Sequence, residues 1–434
     1  MKQIGVGILG LGTVGAGVAG GLLKNRELMA QRLGVDIVLK KIADLDIESD
    51  RGIKIDSSLL TTDAEAVIND PEIQIVVELI GGTGVARDFV LAAFEAGKSV
   101  VTANKKLLAE CGDEIFSAAG KNGVDIYFGA SVGGGIPIIR VLREGLAGNE
   151  IRNIYGILNG TCNYILTRME NEGLPFDEIL ADAQSAGYAE AEPGLDIDGF
   201  DTAHKAAILS SMAYGFHVPM GDVLVEGIRD LSGDDVRYAA DFGYRIKMLA
   251  VIGRKGSDVE VRVHPTLVPF GHMLASVSDV FNAVMVDGDM SDSTLYYGRG
   301  AGREPTASTV IGDIGDIAKN IVAGGARYLR GINIANDGKL DMLKTDEIVS
   351  RYYIRLMAAD KAGSLGIMTN ILGRYGVSIL AVNQKVLGGE EKDANNVPVV
   401  MLTHNAREAD INRSLSEIYA AGVVCEQPVK LRMI

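Results

Sequence analysis

Short apolar runs recur along the first third of the chain, at 4–9, 35–43, 73–80, 99–102 and 125–128, and the stretches between them space their apolar residues as helices do. A run of this length bounded by glycine or polar residues suits a strand buried on both faces, and helices between such strands make βαβ units and a parallel sheet. The first run leads at once into Gly10-Leu11-Gly12-Thr13-Val14-Gly15 and a helical stretch reaching about Arg32. From 131 the texture changes. Ser131-Val132-Gly133-Gly134-Gly135-Ile136-Pro137 opens a helix through Leu146, and strands at 151–158 and 259–267 then mix with helices at 175–186 and 202–214. This is a second, α+β unit over 131–304. Gly298-Arg299-Gly300-Ala301-Gly302 followed by Pro305-Thr306 starts a long helix to about 323, expected to return to the first unit, so that 305–335 completes 1–130. A third unit over 350–434 reads as strand 353–357, helix 364–375, strands 377–385 and 397–404, helix 406–421 and a strand near 429, a ferredoxin-like βαββαβ order. The polar stretch 335–347 is the expected linker and 388–396 a hairpin loop. The fold class is α/β: a Rossmann-type parallel sheet, a mixed α+β middle unit and a ferredoxin-like tail.

A length of 434 residues exceeds one hydrophobic core and agrees with two or three domains. Hydrophobic residues at 47% against 23% charged describe a packed globular chain and exclude disorder. The formal charge of −15, with no run of Lys or Arg to reverse it locally, argues against nucleic acid and anionic membrane surfaces and favours small neutral or zwitterionic ligands. Cys111, Cys162 and Cys425 are far apart with no CxxC pair, so neither a disulfide framework nor a thiolate metal site is expected. Glycines interrupt the apolar N-terminus, which fits a strand and turn better than a signal peptide, and no apolar segment approaches the ~20 residues of a membrane span. A cytoplasmic location is expected.

The chemistry concentrates at a few places. Gly10 permits the turn, Gly12 lets backbone approach a pyrophosphate, and Gly15 lets helix and strand pack, while Thr13 and Val14 open a helix whose free N–H groups suit an anion. Asp44 ends the second strand, where a carboxylate accepts hydrogen bonds from the adenine ribose and repels a 2′-phosphate, favouring NAD over NADP; Asp46 competes for this role. The third and fourth strands end at Gly81-Gly82 and at Ala103-Asn104-Lys105-Lys106, and ligands of open α/β sheets bind at such carboxyl ends, which brings Lys105 toward the nicotinamide; a surface lysine pair is the plainer reading. The helix start after Gly302 can face the same cofactor. Gly133-Gly134-Gly135 exposes backbone carbonyls that either coordinate a hard cation or form a hinge. Between Tyr188 and Lys205 the chain crowds Glu190, Glu192, Asp196, Asp198 and Asp201 ahead of a lysine at i+4 from Asp201, which suits a site gripping an amino acid or a solvated acidic loop. His204 is set aside because adjacent helix positions face different ways.

GLGTVG at 10–15, TANKK at 102–106, SVGGGIP at 131–137, NGTCNYIL at 159–166, GYAEAEPGLDIDGFDTAHK at 187–205 and GRGAGREPTAS at 298–308 together closely resemble the homoserine dehydrogenase family, over about the first 330 residues. The tail resembles an ACT regulatory domain, and with no aspartokinase-like segment in front the chain resembles the monofunctional form. The resemblance implies reversible NAD(P)-dependent reduction of aspartate 4-semialdehyde to homoserine, on the way to threonine, methionine and isoleucine. It implies Lys205 and Lys105 as catalytic lysines. Glu190, Asp196, Asp201, Asn159 and Thr161 become substrate-binding residues, and Gly10, Gly12, Thr13, Val14, Gly15, Asp44, Gly81, Lys105 and Gly302 cofactor-binding ones. It further implies a sodium site on the carbonyls of Gly129, Val132, Gly134 and Ile136, a homodimer or homotetramer, and an amino-acid effector, threonine, at the tail. The chemistry is self-consistent: hydride reaching an aldehyde carbon leaves charge on oxygen, and a lysine can protonate or stabilise it. A phosphorylating semialdehyde dehydrogenase, which needs a thiolate at Cys162, and a non-catalytic nucleotide and amino-acid sensor are the rival readings.

Overall fold

The computed structural model describes residues 1–324, 340–384 and 396–434. Six strands, β1 (Gln3–Leu9), β2 (Asp36–Ala43), β3 (Leu60–Thr61), β4 (Ile75–Glu78), β5 (Ser99–Thr102) and β6 (Ile126–Tyr127), form one parallel sheet in the order β3-β2-β1-β4-β5-β6. This is the doubly wound order, with its crevice where connections diverge between β1 and β4. The helices α1 (Thr13–Leu33), α2 (Glu65–Ile68), α3 (Val85–Glu95) and α4 (Lys105–Asn122) lie between the strands. All of β1 beyond Gln3 is buried, as a central parallel strand covered on both faces must be. The fourth strand is shorter than the apolar run 73–80. Glu78 turns its carboxylate back onto the amides of Ile80 and Gly81, each at 2.9 Å, and the ladder gives way to a turn.

Beyond the triple-glycine segment, α5 (Ile138–Arg140) continues into a π-helical turn. The middle unit follows as β7 (Ile151–Ile157), α6 (Gly160–Glu172), α7 (Phe176–Ser185), α8 (Gly194–Ile197), α9 (Phe200–Tyr214), β8 (Leu224–Val225), α10 (Gly233–Asp241), β9 (Tyr244–Lys255), β10 (Asp258–Pro269), β11 (Phe281–Gly288) and β12 (Asp292–Arg299). Two antiparallel hairpins, β9–β10 and β11–β12, were not separable in the sequence pattern. β12 is an edge strand with mostly exposed or half-buried side chains, so it lacks an apolar signature. α11 (Arg303–Val322) then returns to the first unit as expected and packs along α1 in one shared core. The glycine-rich sequence of α1 serves that approach: a methyl group at Gly21 would lie 2.4 Å from Ile311 Cδ1.

The tail comprises β13 (Asp341–Met342), β14 (Val349–Ala359), α12 (Ser364–Arg374), β15 (Ile379–Gln384), β16 (Asn396–Thr403), β17 (Ala406–Arg407), α13 (Glu408–Ala420) and β18 (Val429–Met433). Its four main strands run β18-β14-β16-β15, all antiparallel, the ferredoxin-like arrangement. It is not a separate bead, however. β18 pairs in parallel with β10, Thr266 opposite Arg432, so tail and middle unit share one twelve-stranded sheet. Part of the expected linker also joins this sheet, Asp341 pairing with Asp258; residues 335–339 and the expected hairpin loop 388–395 lie outside the described residues. Among the described residues no helix is long and apolar enough to cross a membrane.

Candidate active site

At the carboxyl end of β1 the chain turns through Gly10, whose φ of +100° and closeness to Leu79 O, 2.7 Å from a built methyl group, exclude a side chain. A methyl group at Gly15 would stand 2.0 Å from Gly10 O, so α1 packs directly on its own turn. At Gly12 the same construction meets nothing within 4 Å. That open space faces a cavity of 730 Å³ lined by Leu9, Gly10, Gly12, Asp44, Leu79 and Ile80 among others. Thr13, Val14 and Gly15 supply first-turn amides, which have no carbonyl one turn earlier in the helix; the first helical bond is Ala16 N–H to Gly12 O. Asp44 lies on the cavity wall as expected, but its carboxylate already accepts the amides of Leu11 and Asp46, and Arg51 Nη2 stands 3.8 Å away. These contacts weaken a preference for NAD argued from a bare carboxylate.

The segment 79–82 runs from this cavity to a second one of 290 Å³, lined by Gly81, Gly82, Ala103 to Lys106, Glu190, Glu192, Asp196, Asp201 and His204. Here the two lysines meet. Lys105 begins α4 at the end of β5, and its Nζ lies 3.0 Å from Asp201 Oδ1. Lys205, one turn along α9 from Asp201, donates to Asp201 Oδ2 at 2.7 Å and to Leu158 O at 2.7 Å. A single carboxylate, from the middle unit, thus joins an amine of its own helix to an amine of the parallel-sheet unit. Lys205 is nearly buried, whereas the Lys105 side chain is 40% exposed along the cavity. Burial pushes the Asp201 carboxyl up, but the charges of Lys205 and Lys105 and the hydrogen bonds from Lys205 and Asn159 outweigh it and hold the group well below the usual carboxylate range.

The acidic segment is ordered from behind. Asn159 caps α6 through Cys162 N–H at 2.8 Å and donates to both Asp196, 2.8 Å, and Asp201, 2.9 Å. Thr161 Oγ1 lies 3.0 Å from Asp196 Oδ2 and 2.8 Å from Tyr188 O, its one proton serving either acceptor. Both were expected to bind substrate; neither lines the cavity, and their polar atoms are spent holding residues that do. Glu190, exposed, and Asp196 form the far wall with Glu192. Cys162 is fully buried, its thiol donating to Asp196 O at 3.2 Å, and burial pushes its pKa well up, the opposite of an activated nucleophile.

Three residues of this region were missed. Buried Glu78 accepts Thr102 Oγ1 at 2.6 Å as well as the turn amides, and Asn104 caps α4 while donating to Gly82 O at 2.7 Å, which ties the ends of β4 and β5 together. An acid ending an apolar run and an Asn before a helix were the available signals. His204 was set aside by comparison with Lys205 alone. Both lie within one turn of Asp201, at i+3 and i+4, so all three share a face, and His204 is on the cavity wall.

The triple-glycine turn sits under the start of α11. Gly133 and Gly134 have φ of +76° and +48°, and Gly134 packs against Gly300 so closely that a methyl group would lie 2.5 Å from Gly300 O. The Gly134 carbonyl accepts Thr309 Oγ1 at 2.7 Å, and that of Ile136 accepts Ile138 N–H at 2.8 Å. Gly302, φ +115°, precedes the first turn of α11. Gly129 N–H donates to the buried carboxylate of Asp313 at 2.8 Å, an acid beside the expected carbonyl ring.

A doubly wound sheet, a glycine turn under an open cavity and paired amines in the adjoining cleft define a nicotinamide-dependent oxidoreductase. Comparison with known proteins agrees. Residues 10–129 match the family model described as homoserine dehydrogenase, NAD binding domain, and residues 137–314 the one described as homoserine dehydrogenase. The chain is 44% identical to a homoserine dehydrogenase of Neisseria gonorrhoeae, covering 99% of this chain and 98% of that one. A solved homoserine dehydrogenase from Thiobacillus denitrificans superposes with a TM-score of 0.93 at 42% identity, covering 100% and 99% of the two chains. A hyperthermophilic archaeal homoserine dehydrogenase solved in complex with NADPH superposes at 0.63 with 26% identity over 75% of this chain and 100% of that one. The chain belongs to the homoserine dehydrogenase family.

Proposed function

We propose that this chain reduces L-aspartate 4-semialdehyde reversibly to L-homoserine with NAD(P)H. The observation that carries the reading is the meeting of Lys105 and Lys205 on Asp201, in a cleft that adjoins the glycine turn. The dinucleotide fits the first cavity, with Gly10, Gly12, Thr13, Val14 and Gly15 at its phosphates, Asp44 toward the adenosine, and Gly81, Lys105 and Gly302 toward the other end. When bound, the nicotinamide supplies or takes up the hydride. The residues of this chain act at the substrate oxygen. Lys105 lines the cleft and Lys205 stands behind it on Asp201, and together they donate the proton that completes the alcohol and withdraw it in the reverse direction. Asp201 fixes both amines. Glu190 and Asp196 offer acceptors to the substrate ammonium, Asp196 being held by Asn159 and Thr161.

The carbonyls of Gly129, Val132, Gly134 and Ile136 suit a sodium ion. All four residues are buried, and a carbonyl keeps a second lone pair after one hydrogen bond. Such an ion would brace the turn against α11. We divide the chain into a nucleotide-binding unit, 1–130 with 305–335, of which 325–335 lies outside the described residues, a catalytic and dimerisation unit, 131–304, and an ACT-like regulatory unit, 350–434. Threonine is the proposed effector, in a homodimeric or homotetrameric cytoplasmic enzyme. What supports regulation is the segment 226–229. Glu226 bonds Arg432 of the tail at 2.7 Å, while Ile228 N–H donates to Ile197 O at 2.8 Å and Arg229 pairs with Asp198, next to Asp196.

Initial rates of NAD+ and NADP+ reduction with L-homoserine, with and without threonine, test the proposal. Homoserine-dependent turnover that threonine lowers is expected. A folded protein that binds nucleotide but shows no such turnover overturns the reading in favour of a sensor, and turnover that requires phosphate would favour the acylating alternative.

A further inference from the structure

Each oxidation of the alcohol releases one proton, and the amines that receive it face a cavity which substrate and nucleotide fill. Lys105 lines that cavity with its side chain 40% exposed, and Lys205 is packed between Asp201 and Leu158 O. His204 and Glu110 offer a route to water along one wall of this cavity. His204 shares the α9 face with Asp201 and Lys205 and lines the cavity beside Lys105, while only 9% exposed overall. Its Nε2 lies 3.7 Å from Glu110 Oε1 on α4, and Lys106 Nζ is 3.9 Å from the same oxygen. The Glu110 side chain is 38% exposed and reaches solvent at the outer end.

We infer that His204 is a positioning residue acting through the two lysines: with Glu110 it forms the proton exit of the cleft. The inference rests on the proposed homoserine oxidation. A lysine ammonium first passes a proton to the neutral imidazole, the imidazolium passes one through Glu110 to water, and the neutral amine then takes the alcohol O–H proton as the hydride leaves its carbon. The reduction runs the same path inward. Groups facing the ring are Glu110, Lys105 and Lys106 from α4, Asp201 and Lys205 from its own helix, and Glu190, Glu192 and Asp196 across the cavity. Burial first, against the pull of Glu110 and Asp201, lowers the histidine's proton affinity, so the resting ring is neutral and able to accept.

The test uses the full chain with His204→Gln, His204→Ala and Glu110→Gln. For His204→Gln, kcat for homoserine oxidation should fall about tenfold, below the 10²–10⁴ typical of direct general acid–base groups, with a larger solvent deuterium isotope effect and a shifted acidic limb of the kcat–pH profile. KM for homoserine and Kd for nucleotide should stay within about twofold. Added imidazole should restore much of the loss in His204→Ala, and Glu110→Gln, on an exposed side chain, should reproduce a smaller loss of the same kind. Unchanged kcat and isotope effect in His204→Gln overturn the inference, as does a loss that tracks melting temperature and KM without imidazole rescue. Absence of homoserine-dependent turnover in the unmodified chain is a different result: it removes the proposed function and the proton exit with it.

Discussion

One oxygen of Asp201 faces each lysine, and this division sets the balance of charge in the cleft. Lys205→Ala should lower turnover by ~100-fold or more while nucleotide binding, measured by fluorescence titration, stays near its original value, because the amine works at the substrate oxygen and touches no part of the glycine turn. Fold stability should survive that change, since Asp201 keeps Lys105 and Asn159. Asp201→Asn is expected to do worse. It leaves the nearly buried Lys205 with only Leu158 O, and breaking a buried pair on one side costs roughly 3 kcal/mol, readable as a lower urea midpoint together with lost activity. The pairing of Asp201 with Lys205 was legible in the sequence, being i to i+4 on one helix. The approach of Lys105 was expected from the family resemblance and not from spacing, because it depends on how far α4 of one unit leans over α9 of another. His204 was misjudged for a related reason: what matters is distance around the helix from Asp201, not from its neighbour.

At the scale of elements, the strand–turn–helix that opens the chain separates two uses of glycine. Gly15→Ala should lower the melting temperature, since the new methyl group would stand 2.0 Å from a backbone oxygen and overpacking of this kind costs about 1–3 kcal/mol. Gly12→Ala should leave stability unchanged and weaken NAD(P) binding by about tenfold or more, because its methyl group enters only the space left for pyrophosphate. Equal melting temperatures for the two variants would contradict this assignment. Parallel strands announce themselves as apolar runs, and five strands of the parallel sheet were therefore readable to within a few residues, while the two-residue β3 has no such run. The hairpins β9–β10 and β11–β12 were not. β10 alternates polar and apolar residues and was read as a strand at 259–267, but β9 is apolar through its middle with no strand period, and β12, on the sheet edge, alternates too weakly to be separated from loop.

Across the whole molecule the tail is fastened by charge as well as by strand pairing. Arg432, 1% exposed, bonds Glu226 of the middle unit and Glu408 of α13, and Glu408 also takes Lys430 and the Tyr352 hydroxyl. Arg432→Met should lower the urea midpoint, because it takes the guanidinium from Glu226 and leaves Glu408 to Lys430 and the Tyr352 hydroxyl at a sheet junction. Acid should also loosen the fold before the carboxylates titrate. His204, His264 and His272 all have proton affinities lowered chiefly by burial, so below about pH 6.5 the unfolded chain takes up protons that the folded chain refuses. Stability then falls as pH drops, by up to about 1.4 kcal/mol per pH unit for each uncompensated proton. Asp313, raised to about 7 mainly by burial, runs the other way and offsets one of the three protons, which leaves two in excess. Urea midpoints that stay flat or rise from pH 7 to 5 would contradict their neutral burial.

What the sequence determined by itself was local: the βαβ rhythm, the glycine turn, the helix carrying Asp201 and Lys205, and the βαββαβ tail, each fixed by periodicity and steric need within a few dozen residues. What only the tertiary structure decided was contact across units. Lys105 meeting Asp201, Asn159 and Thr161 holding the cleft carboxylates from behind, β18 extending the sheet of β10, and α11 seated on the glycines of α1 all depend on the relative placement of surfaces far apart in the chain. Side-chain periodicity carries no record of such placement, because packing between units is set by the shape of whole faces rather than by the order of residues along one.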